Sequence, residues 1–156
     1  SLSDYRLGPM ETVMSDATYD PGNIFAKILR GEIPSHCVYE DDDVVAFMDV
    51  MPQATGHTLV VPKAPSRNLL DADPAVLSTL MPVVQKIARA AKSAYAADGI
   101  TIIQFNEAPA GQTVFHLHVH VIPRHEGVPL KTHARGMEDG AVLAENAAKL
   151  KAALAG

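Results

Sequence analysis

Three histidines alternate with apolar residues in Phe115-His116-Leu117-His118-Val119-His120-Val121-Ile122. Successive side chains of an extended strand point to opposite faces. His116, His118 and His120 therefore share one face, and Leu117, Val119 and Val121 share the other. Burial asks only for the apolar row. Three imidazoles in line are costly to bury without partners, so the row is read as chemistry. Three readings compete: a surface strand carrying histidines, a His-x-His pair holding a metal, and a nucleophilic imidazole flanked by two assistants. At roughly 3.3 Å per residue the outer histidines stand about 13 Å apart. A metal would then draw further ligands from His57, Asp49 or His125.

The segment just upstream favours the nucleophile. Ala110-Gly111-Gln112-Thr113 offers backbone N–H groups, an amide and a hydroxyl. These are donors suited to an anion such as phosphate, whereas a metal asks for acceptors. Neutral imidazole, with an ordinary pKa of ~6.5, is also a competent nucleophile near pH 7.

The elements that must position these groups are readable from capping and periodicity. Asn23 is a fair N-cap for a two-turn helix over Ile24 to Arg30, stopped by Gly31. Val38 to Glu40, Val44 to Asp49 and His57 to Val61 read as strands, the first two joined by the acidic turn Asp41-Asp42-Asp43. A long helix starts at Asp73-Pro74 and runs through Leu77, Leu80, Val84, Ile87, Ala91 and Tyr95 to Gly99. Pro82 is expected to kink it or split off its first turn. Ile100 to Phe105 and Thr113 to Ile122 are strands separated by the loop Asn106-Glu107-Ala108-Pro109-Ala110-Gly111. A C-terminal helix over Ala141 to Leu154 closes the chain. The fold class is α+β: a largely antiparallel sheet, a short N-terminal helix, one long helix and a C-terminal helix.

The 156 residues are 47% hydrophobic and 20% charged, with net charge −5. That is enough chain for one domain with a core. The acidic balance argues against a nucleic-acid binder, and no apolar run is long enough to span a bilayer. A single cysteine, Cys37, excludes an internal disulfide framework and suits a cytoplasmic setting. The chain opens on Ser1, with Met10 and Met14 as candidate natural starts. Ser1 to Thr18 is expected to be a disordered arm, and residues 19–156 one domain.

The run His116-Leu117-His118-Val119-His120-Val121-Ile122 resembles the histidine-triad (HIT) signature. The likeness extends over Asn23-Ile24-Phe25-Ala26-Lys27-Ile28, Gly31-Glu32-Ile33-Pro34, Ala46 to Gln53, Gly56 to Lys63, Phe105-Asn106-Glu107 and Gly111-Gln112-Thr113-Val114. It spans about Asn23 to Arg124 and is similar to both the nucleotide-binding (Hint-like) and the dinucleoside-polyphosphate hydrolase (Fhit-like) branches.

The resemblance implies a hydrolase or transferase cutting a purine nucleotide phosphoramidate or dinucleoside polyphosphate at the α-phosphate. It implies His118 as the nucleophile, forming a nucleotidyl-histidine, with its second nitrogen held by the His116 carbonyl. His116 and His120 would flank the phosphate. Asn106, Gln112 and Thr113 would bind its oxygens, with His57 in support. Asp49 would accept from the ribose hydroxyls, and Ile24, Phe25, Ile28, Phe47 and Val50 would wall the base, although each is also credible as plain core. Asp49 has a competing role as a turn cap before Pro52.

No cofactor is implied beyond magnesium as a substrate counter-ion, and the expected partner is a second copy of the chain. Many relatives carry Cys-x-x-Cys at the first helix for a structural zinc. Asn23 and Ala26 stand there instead, so no metal is expected. A nucleotide-binding scaffold with little turnover and a metal-dependent enzyme remain the alternatives.

Overall fold

A computed structural model of the protein describes residues 18–132 and 136–156. The arm expected over Ser1 to Thr18 lies outside the described residues apart from Thr18. The order is α1 (Ile24–Leu29), β1 (Cys37–Glu40), β2 (Val44–Met48), β3 (Thr58–Pro62), α2 (Pro74–Ala94), β4 (Gly99–Ile103), a 3-10 turn (Ala108–Ala110), β5 (Val119–Arg124) and α3 (Gly140–Ala155). The strands form one sheet in the order β1-β2-β3-β5-β4, with every neighbouring pair antiparallel. The α+β architecture is the expected one.

Local chemistry explains the helix starts. The Asn23, Asp73 and Asp139 side chains each accept from a backbone N–H of the first turn, at Ala26, Ala75 and Ala141; these groups have no partner inside the helix. Pro82 does not split α2, which runs unbroken from Pro74 to Ala94. Its ring lies on the exposed side of the helix, where water can take the carbonyl that loses its N–H partner.

The sheet buries both faces. Helices α2 and α3 cover one, packing Leu80, Val84, Ile87, Leu143 and Leu150 against Val44, Ala46, Val60 and the row Leu117, Val119 and Val121. The other face gathers Phe25, Val45, Phe47, Leu59 and Val61 under α1. The alternation read from the histidine run thus holds in space. The ladder does not reach so far, because β5 begins at Val119 and not at Thr113. By the register of Val60 with Val119, Pro62 would face Leu117, and a proline has no N–H for a ladder. Leu117 donates instead to the Ser66 carbonyl at 2.8 Å.

Candidate active site

His116, His118 and His120 are all buried, and hydrogen bonds fix how each ring carries its proton. His118 Nδ1 lies 2.6 Å from the His116 carbonyl. A carbonyl only accepts, so Nδ1 holds the proton and Nε2 holds the lone pair. The Phe25 ring stands edge-on to His118 at 4.8 Å, and His120 is 5.0 Å away between ring centres. Burial, reinforced by the neighbouring His116 ring, pushes the His118 pKa down to about 4, against the opposing pull of the His116 carbonyl. The ring is therefore neutral through the physiological range.

His116 is arranged differently. Its Nε2 donates to the Pro62 carbonyl at 2.7 Å, and its Nδ1 lies 2.6 Å from the Tyr19 hydroxyl. Both ring nitrogens are engaged in a side chain with no exposed surface. The ring expected to flank a phosphate thus has neither nitrogen turned to one, and His116 faces the site through its carbonyl. Burial lowers its pKa as well.

A second histidine pair lies alongside. The backbone N–H of Gln53 donates to His57 Nδ1 at 3.0 Å, so His57 carries its proton on Nε2. That nitrogen faces His120 Nδ1 at 2.9 Å and Asp49 Oδ2 at 3.4 Å. His120 accepts on Nδ1 and, as a neutral ring, bears its own proton on Nε2. Asp49, His57 and His120 bring ligand-type atoms within 4.8 Å of one another. The tautomer argues against a metal there: an ion would take the His57 Nε2 lone pair and move its proton to Nδ1, directly against the Gln53 N–H. Asn23 and Ala26 do not fit a zinc either. The Asn23 amide oxygen is used on the Ala26 N–H at 2.9 Å, and Ala26 has no donor atom.

The loop residues divide. All four hydrogen-bonding positions of the buried Gln112 are used within the protein. Its Oε1 accepts from the Glu107 N–H at 2.7 Å and from Asn68 Nδ2 at 3.1 Å. Its Nε2 donates to the Arg67 and Val114 carbonyls. The side chain expected on a phosphate holds the loop instead. Asn106 Oδ1 accepts from the Leu69 N–H, its Nδ2 donates to Gln104, and one amide hydrogen is left over. Thr113 is exposed.

Sequence reasoning missed the strut beneath this loop. Glu107 sits at φ 76°, ψ 156°, a region nearly reserved for glycine. Both nitrogens of the Arg67 fork hold its carboxylate at 2.9 Å, which keeps that carboxyl below its usual range. Nothing local in the sequence marks Glu107 as strained, because its partners lie some 40 residues upstream. Arg67 also stacks over Phe115 at 4.2 Å.

Of the expected base walls, Ile24 is 44% and Val50 37% exposed, so both offer apolar surface. Phe47 and Phe25 pack edge to face at 5.5 Å within the core, and Ile28 lies partly buried beside them. Asp49 Oδ1 accepts from the Met51 N–H at 2.8 Å, the turn-capping role, while Oδ2 faces His57.

Comparisons with known proteins identify the family. The HIT domain family matches residues 30–127. The Bacillus subtilis protein hit is 41% identical over 116 residues, covering 71% of this chain and 80% of that one. Adenylylsulfatase HINT3 of Arabidopsis thaliana is 38% identical over 103 residues, 66% of this chain and 52% of its own length. Among solved structures, a Hit-like protein from Bartonella henselae shares 60% identity at TM-score 0.82, over 87% of this chain and 99% of that one. A zinc-bound histidine triad family protein from Mycobacterium smegmatis shares 37% identity at TM-score 0.77, over 86% and 94%. The chain belongs to the HIT family, whose members are in general nucleotide hydrolases.

Proposed function

We propose that the protein cleaves a purine nucleotide phosphoramidate or dinucleoside polyphosphate at the α-phosphate through a nucleotidyl intermediate on His118. The observation that carries this reading is the His118 ring, with its proton fixed on Nδ1 by the His116 carbonyl and burial keeping its other nitrogen unprotonated at neutral pH. The lone pair of Nε2 attacks the α-phosphorus. A phosphorus–nitrogen bond forms as the bond to the leaving group breaks. His120, as an Nε2–H donor backed by His57, gives its proton to the departing oxygen or nitrogen. Water then attacks the phosphorus, releasing the nucleoside monophosphate and restoring both rings. Asn106, Thr113 and nearby backbone N–H groups are the donors assigned to the phosphate oxygens, and Asp49 is assigned to the ribose.

No resident metal takes part in this reading, and magnesium enters only with long polyphosphates. A cytoplasmic setting is part of the same proposal, supported by the single cysteine. The protein is also proposed to form a homodimer through β4, which lies at the sheet edge with Ile102 44% exposed. Ile102→Asp should then give a monomer by sedimentation.

The functional test uses an AMP-amide and a dinucleoside polyphosphate, each with and without chelator. Brief reaction and a non-acid quench should leave a nucleotide on the His118 peptide. His118→Ala should lose turnover and still bind AMP. Full activity in that variant overturns the mechanism, and turnover abolished by chelator with the short substrate moves the assignment to a metal enzyme.

A further inference from the structure

We infer that Tyr19 is a positioning residue for the nucleophile, acting through His116; the inference rests on the reading of His118 as nucleophile. The Pro62 carbonyl can only accept. His116 Nε2, 2.7 Å from it, therefore carries the proton, and Nδ1 is left as an acceptor in a ring with no exposed surface. A buried acceptor without a donor is costly. The Tyr19 hydroxyl, 2.6 Å away, supplies the donor, and the two rings meet edge to face at 5.5 Å.

The imidazole is thereby held at both ends, by residues 97 and 54 positions away along the chain. Neither torsion of His116 can change without breaking a buried hydrogen bond. This fixes the residue whose main-chain carbonyl receives the His118 Nδ1–H at 2.6 Å.

Tyr19 is itself anchored. The neighbouring Asp20 carboxylate accepts from the Gly22 N–H at 2.8 Å, and its carbonyl accepts from the Asn23 side chain at 2.7 Å. The turn that caps α1 thus also aims the phenol. The lead-in to α1 places Tyr19 against His116 while α1 itself places Phe25 against His118. Each of the two histidines has its own aromatic support from this one segment.

The test is Tyr19→Phe, which keeps the ring and removes the donor. We expect kcat to fall about three- to thirty-fold, with KM for the nucleotide changed by less than about twofold. The ¹⁵N spectrum of the ligand-free variant should show His118 departing from a pure Nδ1–H tautomer. In the unmodified protein His116 should read as Nε2–H, with the Tyr19 hydroxyl proton in slow exchange. Unchanged kcat, or His118 nitrogen shifts identical to those of the unmodified protein, overturns the inference. So does a His116 that reads as Nδ1–H before any substitution. If neither substrate is turned over by either form, the functional reading fails, and the nitrogen shifts alone decide the role of Tyr19.

Discussion

The two nitrogens of His118 sit in unlike surroundings, and the pH dependence follows from that difference. In the proposed mechanism a proton on Nε2 removes the attacking lone pair, so the rate should fall as pH falls. With the pKa pushed down to about 4 by burial, the acid limb should lie well below the ordinary imidazole range near ~6.5. A pH–rate profile with its midpoint at or above pH 6.5 would contradict the burial argument. Asp49→Ala should weaken AMP binding by about 1–3 kcal/mol through lost hydrogen bonds to a charged acceptor and leave the acid limb in place. Calorimetric titration decides: unchanged affinity means that Asp49 caps the Met51 turn and faces His57 without binding the ribose. The sequence made the histidine cluster legible, because three imidazoles alternating with a buried apolar row are costly to bury without partners. It did not reveal their tautomers. Those depend on the Pro62 carbonyl, the Gln53 amide and the Tyr19 hydroxyl, none of which carries a local signal.

Among the elements, the loop from Phe105 to His118 depends most on side chains. Gln112→Ala would strand the Glu107 N–H and remove one of the two acceptors of the Asn68 amide, with an expected loss of about 1–3 kcal/mol in urea unfolding. Gly56 presents a sharper case between β2 and β3. It has φ +84°, and a Cβ there would lie 2.2 Å from the Tyr95 ring, which its hydroxyl ties to the Asn146 carbonyl at 2.6 Å. Gly56→Ala combines an unfavourable backbone with a clash the ring cannot easily escape. We expect a loss of at least about 2 kcal/mol, and a melting temperature equal to that of the unmodified protein would refute it. Strands and helices were legible where periodicity and caps agreed, as at Asp73 and Val44. The start of β5 was misread because apolar alternation persists through Leu117 even where Pro62 removes the pairing partner. Pro82 does not split α2, and the stripe Leu77, Leu80, Val84, Ile87 and Ala91 already turns it to the opposite, exposed face.

For the whole molecule, buried neutral histidines link stability to pH. The folded His118 binds its proton only near pH 4, while an unfolded histidine binds one near ~6.5. Between those values the unfolded chain holds more protons, so stability is complete above the upper value and declines as pH falls toward the lower. The contribution is at most about 3 kcal/mol, and His116 acts in the same direction. Urea midpoints should drop between pH 7 and pH 5, and the drop should shrink in His118→Ala. The late start of β5 has a further consequence, visible in hydrogen–deuterium exchange. The amides of Val119 to Ile122 and Arg124 belong to β5, but those of Glu107 and Leu117 are held by a glutamine side chain and a loop carbonyl. The segment from Glu107 to His118 can therefore breathe as a unit of its own. Its amide protons should exchange well before those of the strand beside it, while the sheet stays shut.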